Sequence, residues 1–595
     1  MTSHGGEVIL LRNIYRYFMT NTKKHGQGGF AFLVSGSLTC AILWIGCSTP
    51  AEQFADADKE VMGILKERQE QVLGGQQLSD IKTPYSERKL EDIPPSEIIL
   101  NRFASGTNTI TMPQALEMAV KNSRDYQRER ESLYLSALTL TGERHKFALK
   151  FSNANVDLER SRSTSGELST SSDAAFTLSK ALKAGGTFTA SLANDLTLYF
   201  DGSTPKVPGL TFKLTQPLLK GSGQKMALEN LTQSERNLVY SIRSFSRYQQ
   251  TFLVDRISEY LSLLEQKNRV RVQWELYQNR IRFRQEQELR LQGELISQFE
   301  LDQALRSEYS SKVSYINSIE SYRAKLDDFK KQLNLPLGVE VILDDSELGN
   351  LETFGLRPVP LTDAHGFQLA LTNRLDIINE VDKFEDKKRK VEVAENDLLP
   401  SLKLLADYSI KDQYYNRNSF DFGDYSAKTG LSLDLPFNKL DERNAFRKSR
   451  ITFEQQLRSL MKTLDDLRDE LRTNVRTLDQ NQQSYVINVK ALEVAKRELE
   501  KARLDLQAGE RSISPRDILE AQTAVASAQN SVTQSFITFH TQRLKLLNNT
   551  GILNMGPANW WRQPQPVPGV APVAPVPPGA EQDIPVVPPV QILGN

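Results

Sequence analysis

The chain has 595 residues, and its 74 Lys and Arg balance its 74 Asp and Glu to a net charge of zero. That balance excludes a long-range pull toward nucleic acid or an acidic substrate, and no basic stripe restores one. A hydrophobic fraction of 39% over this length points to two units or an elongated, surface-rich body rather than one thick core.

The first element is an apolar segment, "KKHGQGGFAFLVSGSLTCAILWIGCSTP", which holds both cysteines of the chain, Cys40 and Cys47. Disulfides and thiolate metal sites are thereby excluded from everything that follows. Lys23 and Lys24 form a positive start, residues 30–45 an apolar stretch too short for a comfortable membrane span, and Gly46 a small residue before Cys47. This is a signal-peptide pattern over residues 1–46. It resembles a bacterial lipobox, with Trp44 where Leu is usual, and so predicts lipidation of Cys47. An ordinary signal peptide cut elsewhere and an uncleaved anchor are the other readings. Met19 is a second candidate start, since the positive region is otherwise very long. Residues 49–109 are polar and poorly periodic, and are read as a segment running from the anchor along the outside of the body.

A helix is predicted over about residues 114–149. Residues 153–159 then alternate strictly, with Ala154, Val156 and Leu158 opposite Asn153, Asn155, Asp157 and Glu159. A Ser/Thr/Gly-rich stretch, 161–208, reads as an insertion holding a further hairpin around Gly185 and Gly186. Leu210, Phe212 and Leu214 alternate with Thr211, Lys213 and Thr215. From 221 to 289 there is almost no helix breaker, and Leu253, Ile257, Tyr260 and Leu264 make a heptad seam. Such a helix would reach roughly 100 Å.

The second half repeats this order. A helix is predicted over about 366–399, strands over 402–408 and 431–435, and a second seam at Leu492, Ala495, Leu499, Ala502 and Leu506. Residues 122–125 (NSRD) correspond to 373–376 (NRLD), Pro217 to Pro436, and Gly293 to Gly509; Pro to Gly is 76 residues in one half and 73 in the other. Alternation at period two gives a sheet with one apolar and one wet face. In a secreted chain that fits a transmembrane barrel, although any one strand would serve equally in a soluble sheet packed on helices. The turns between the long helices carry "GELISQFELDQA" (293–304) and "GERSISPRDILEA" (509–521).

Over about residues 110–553 this arrangement resembles the TolC-like outer-membrane efflux family, in its lipoprotein subclass. The resemblance rests on "ITMPQALEMAVKNSRDYQ", "LTQPLLKGSG" and the two Gly…Ala segments in that order. It implies an α+β membrane protein: a long α-helical coiled-coil tunnel plus a transmembrane β-barrel shared by a trimer, with two internal structural repeats and four strands per protomer. The organisation then reads as signal peptide 1–46, lipid-anchored segment 47–109, repeat 1 at 110–345, repeat 2 at 346–555, and a disordered Pro-rich tail at 556–595. Physics agrees that copies must share the barrel. Single-chain barrels begin at about eight strands, and open edges in lipid leave backbone groups unpaired.

The implied function is a passive exit duct for efflux or type I secretion. Its partners are two further copies, a periplasmic adaptor, an inner-membrane transporter and outer-membrane lipid, with no nucleic acid and no cofactor or metal. A structural coiled-coil lipoprotein tying envelope layers together is the alternative, against which the strict strand alternation argues. The resemblance places Asp517 and Glu520 at a periplasmic gate, where three copies would ring the mouth with carboxylates and favour cations. It pairs Glu300 with Arg516 or Arg511 across the turns, and makes Gly293, Gly509 and Pro515 the turns on which an adaptor docks. By themselves, Asp517 and Glu520 read equally as charges stabilising the start of a helix, and the pair as a solvated one. No enzyme signature appears: His4, His25, His145, His365 and His540 are scattered, without metal-ligand spacing, a phosphate loop or a nucleophile elbow.

Overall fold

The computed structural model describes residues 49–75, 81–162, 168–199, 206–411, 425–435, 437–508, 514–557 and 559–570. The signal region with Cys40 and Cys47, the turn residues Gly509 and Arg511, Pro436 and the tail beyond 570 lie outside the described residues. The chain forms two compact units, residues 1–67 and 68–595.

Helix α1 (Pro50–Leu73) occupies ground that its weak periodicity had marked as irregular. Its start explains why it forms. The Glu52 carboxylate accepts the Thr49 N–H at 2.8 Å while the Thr49 hydroxyl accepts the Glu52 N–H at 3.3 Å, a reciprocal cap, and Pro50 stands at the first helical position. Helix α2 (Pro95–Arg102) and strand β1 (Gly106–Ile110) follow.

The helix expected over 114–149 is two helices, α3 (Met112–Asn122) and α4 (Arg124–His145). Ser123 breaks it with extended backbone (φ −64°, ψ 127°), and its hydroxyl caps α4 through the Tyr126 N–H. Four strands come next: β2 (Lys150–Arg162), β3 (Leu168–Ala181), β4 (Thr187–Tyr199) and β5 (Lys206–Pro217). The short α5 (Gln224–Ala227) leads into α6 (Glu229–Gln292) and α7 (Gln298–Gln332). At 64 residues α6 is about 96 Å long.

Strand β6 (Val339–Leu343) and helix α8 (Ser346–Phe354) join the halves. Helices α9 (Asp363–Asn373) and α10 (Leu375–Asn396) have 11 and 22 residues, the lengths of α3 and α4. Strands β7 (Ser401–Lys411) and β8 (Tyr425–Asp434) precede α11 (Leu440–Gln507) and α12 (Pro515–Asn549). Helix α12 has 35 residues, as α7 has.

Strands β2, β3, β4, β5, β7 and β8 form one antiparallel sheet in that order. Among the described residues this sheet therefore has six strands, not the four that the resemblance implies. The Ser/Thr-rich insertion adds two of them, because its residues alternate and pair along their whole length: β3 and β4 are in register from Ser169–Tyr199 to Ala181–Thr187. The sheet is open, with β2 and β8 as edges. Aromatic rings cross it on one face, Phe188 to Phe212 (6.3 Å between centroids), Phe212 to Tyr408 (6.4 Å) and Tyr408 to Tyr425 (5.6 Å). Such cross-strand pairs are the unit of sheet stabilisation. Among the described residues, no helix is long and apolar enough to cross a membrane.

The helical core centres on the seam of α6, where Ile257 and Tyr260 are fully buried. The Tyr260 hydroxyl bonds the carbonyls of Ile110 (3.0 Å) and Asp344 (3.2 Å), fastening α6 to the parallel pair β1–β6. The halves are joined by a charged cluster between α6 and α10. Asp386, almost fully buried, accepts from the Tyr240 hydroxyl at 2.7 Å and from Gln233 at 3.0 Å, and pairs with Arg389 and Arg236. Burial works against its charge, but these hydrogen bonds and cations hold the carboxyl below its ordinary range.

The start of the Pro-rich tail is not disordered. Trp560, Trp561 and Val567 are buried. The Trp561 indole donates to Glu347 at 2.8 Å, and Arg543 donates to the carbonyls of Trp561 and Gln563. Two tryptophans outweigh the prolines around them, since large aromatic surface is what drives burial.

Candidate functional site

The two helix-to-helix turns are built by the same local chemistry. In the first, the Ser297 N–H and hydroxyl both donate to Glu300 Oε2, at 2.7 and 2.9 Å. In the second, the Ser514 N–H and hydroxyl both donate to Asp517 Oδ2, at 2.8 and 2.9 Å. Each acid is the third residue of a new helix and closes a capping box. Pro515 is the first residue of α12, where its missing N–H costs nothing. The repeated Ser-x-x-acid pattern thus restarts a helix twice.

This changes how the candidate acids stand. The Ser514 N–H and hydroxyl, with Arg516 beside them, hold the Asp517 carboxyl below its ordinary range. Asp517, Glu520 and Arg516 are exposed. Asp517 and Glu520 lie three apart on α12, within reach of one helix face. Glu300 is engaged by Ser297, and no ion pair between Glu300 and Arg516 occurs among the described residues; Arg511 lies outside them.

Gly293 does not supply the left-handed residue of its turn. Its φ is −86°, and the left-handed position falls on Glu294 at φ 58°. The Leu295 N–H reaches the Arg290 carbonyl at 2.9 Å and the Glu294 N–H reaches that of Leu291 at 2.9 Å. These two bonds close the end of α6 as a Schellman motif one residue later than the glycine suggests.

Beneath the turns, Phe283 of α6, Ala304 of α7 and Ile518 of α12 form a buried cluster with Leu499, Ala502 and Leu506 of α11 against it. All four long helices therefore meet there. Polar groups are buried among them. Arg280 donates to Thr523 Oγ1 (2.7 Å) and to the Leu519 carbonyl, and burial pushes its guanidinium down to about 10. Gln287, seven residues on and fully buried, has no hydrogen-bond partner for either amide atom among the described residues. Sequence reasoning passed over Arg280 and Gln287. Their signal was the seven-residue step between Arg280 and Gln287, which puts both on the face that Phe283 buries. Arg290 closes the site by donating to the Leu506 carbonyl at 3.4 Å. No cluster of His, Cys, Asp and Glu able to hold a metal ion occurs among the described residues.

Residues 366–547 match the family model described as outer membrane efflux protein. No curated protein matches the chain. Among solved structures, CusC, in a study of folding and transmembrane channel formation, is similar at 13% identity with a TM-score of 0.53, covering 74% of this chain and 92% of its own. The Campylobacter jejuni CmeC outer membrane channel gives 14% identity and a TM-score of 0.53 over 74% of this chain and 85% of its own. The open state of the Neisseria gonorrhoeae MtrE outer membrane channel gives 11% and 0.52 over 74% and 88%. At these identities the structures share the fold alone. Helices α9 to α12 thus match the outer membrane efflux protein family, and over 74% of its length the chain shares the fold of outer-membrane channels.

Proposed function

We propose that this chain is one protomer of a trimeric outer-membrane exit duct, a passive conduit served by a periplasmic adaptor and an inner-membrane pump. One observation carries the reading. A single chain combines a six-stranded two-faced sheet, open at both edges, with two hairpins of helices 64 and 35, and 68 and 35, residues long. The sheet is stable in lipid only when its edges are paired by other copies, and helices of about 100 Å are long enough to span a periplasmic gap. Equal lengths in α3 and α9, in α4 and α10, and in α7 and α12 support two copies of one unit, at 110–345 and 346–555. The similar proteins titled as outer membrane channels support the location and the conducting role.

The turns at Gly293 and at Gly509–Pro515 form the mouth of the tunnel and the docking surface for the adaptor. Asp517 and Glu520 line the mouth as a cation-attracting ring, and Glu300 acts there as a helix cap. Cys47 carries the lipid that ties residues 47–109 to the membrane. The test is reconstitution in a planar bilayer. Purified protein should migrate as three chains and give discrete conductance steps. A stable non-conducting monomer would instead make it a structural coiled-coil lipoprotein.

A further inference from the structure

The hairpin β3–β4 has no place in a four-stranded protomer, yet three features build it into the wall. First, its position is interior: β3 pairs with β2 over Arg162–Leu168 to Lys150–Ser179, and β4 pairs with β5 over Thr187–Thr215 to Leu196–Lys206. Strands of 14 and 13 residues exceed the roughly 9–11 that cross a bilayer.

Second, its two faces continue those of its neighbours. Phe176, Leu178, Ala190 and Leu192 share one apolar surface with Phe151 of β2 and Leu210 of β5. Register puts one line of charged positions on the other side, while Lys180, opposite Phe188 at the helical end of the sheet, falls on the apolar side. Asp157, Asp173 and Asp195 are direct cross-strand partners, and so are Lys213, Asp407 and Lys428. A loop or plug has no need of one apolar and one charged side in phase over six strands; a membrane wall does.

Third, its tip is jointed to the helical end of the sheet. The turn closes through the Leu182 N–H on the Gly186 carbonyl (2.7 Å), and the Ala184 carbonyl accepts from the Gly223 N–H (3.2 Å) and from Gln216 Nε2 (3.0 Å). The fit requires glycine: a Cβ on Gly185 (φ 93°) would stand 2.6 Å from the Gly221 carbonyl oxygen.

We propose that β3 and β4 are wall strands and that three copies close an eighteen-stranded barrel, with β2 of one copy pairing antiparallel to β8 of the next. The proposal rests on the trimeric-duct reading and goes beyond it in setting the bore. Strands about 4.8 Å apart and tilted about 40° close at a backbone diameter of roughly 24 Å for twelve and roughly 36 Å for eighteen. The insertion therefore widens the outer exit by about half in diameter and about twofold in cross-section.

Two experiments test it. Trimers in lipid nanodiscs are imaged and their barrel strands counted. Eighteen strands, with β3 and β4 paired on both sides, are expected. Twelve strands, with residues 168–199 outside the wall, overturn the proposal and leave the duct intact, whereas a particle that is not a trimer overturns both. In a bilayer, the exclusion limit for neutral polymers added on the outer side is compared between the full chain and a variant lacking 168–199, in which β2 can pair directly with β5. The variant should exclude polymers about one third smaller in diameter; an unchanged limit overturns the proposal.

Discussion

Ser514 grips a single oxygen of Asp517 with both its N–H and its hydroxyl, at 2.8 and 2.9 Å. In the proposed duct this one side chain would have two jobs, to hold the start of α12 and to place a charge at the mouth. The two separate by substitution. Asp517→Asn with Glu520→Gln keeps an acceptor for the cap and removes up to six charges from a trimer. Cation selectivity and block by multivalent cations should fall, and the difference should shrink toward 1 M salt, where the screening length is about 3 Å. Asp505→Asn is the control and should change little. Unchanged selectivity at low salt would leave Asp517 and Glu520 as helix-end charges only.

The cap itself is read by Ser514→Ala, which should lower stability by about 1 kcal/mol without altering ion selectivity. Because the folded Asp517 is held below its ordinary value, its contribution is present above the unfolded value of 3.8 and is lost as pH falls through the lowered one. Melting curves of the detergent-solubilised protein between pH 6 and pH 3 should show Asp517→Ala losing its disadvantage at the acid end.

Glu294 holds a left-handed conformation next to a glycine that does not. Glu294→Gly should stabilise the first turn by about 1 kcal/mol, since it removes a Cβ from that conformation. Gly293→Ala should be nearly neutral, because its Cβ would meet nothing closer than 3.7 Å. A large loss for Gly293→Ala, measured by thermal melting, would contradict this description of the helix end.

Asp386 faces Arg236, Arg389 and Tyr240 in a buried cluster. Asp386→Ala removes the acceptor that Tyr240, Arg236 and Arg389 share, but leaves Arg236 with Asp382 and Arg389 with Glu229, and should cost about 1–3 kcal/mol in thermal melts. Asp386→Asn keeps an acceptor for Tyr240 and should cost less. The carboxyl is held below its normal range, so its stabilisation exists above about pH 4 and disappears as pH falls through the lowered value.

His540 lies among Phe354, Phe536 and Phe539, with neither ring nitrogen hydrogen-bonded among the described residues. Burial, reinforced by Arg543, pushes it from 6.5 to about 3. The unfolded chain takes up this proton near pH 6.5 and the folded chain only near pH 3. Stability should therefore fall as pH drops between those values, by up to about 1.4 kcal/mol per pH unit. His540→Phe should flatten that slope in acid melts; an unchanged slope would show that His540 is not its source.

The sequence by itself determined what repeats and alternates. Period-two runs placed β5, β7 and β8, and heptad seams placed α6 and α11, because strand and helix periodicities are local and survive without any partner. It also marked Glu300 as an ion-pair candidate and Asp517 as a gate or helix-start charge, but not Ser297 and Ser514, whose bonds make both acids caps. Tertiary structure decided what depends on pairing. Whether residues 168–199 form a loop or two further strands of the sheet turns on hydrogen bonds to β2 and β5, which alternation alone does not specify. The left-handed residue moved from Gly293 to Glu294 because the Schellman bonds to Arg290 and Leu291 set where α6 ends. The same holds for the tail at Trp560 and Trp561 and for the buried Arg280 and Gln287. Burial is a property of what packs against a residue, and those neighbours are hundreds of positions away in the chain.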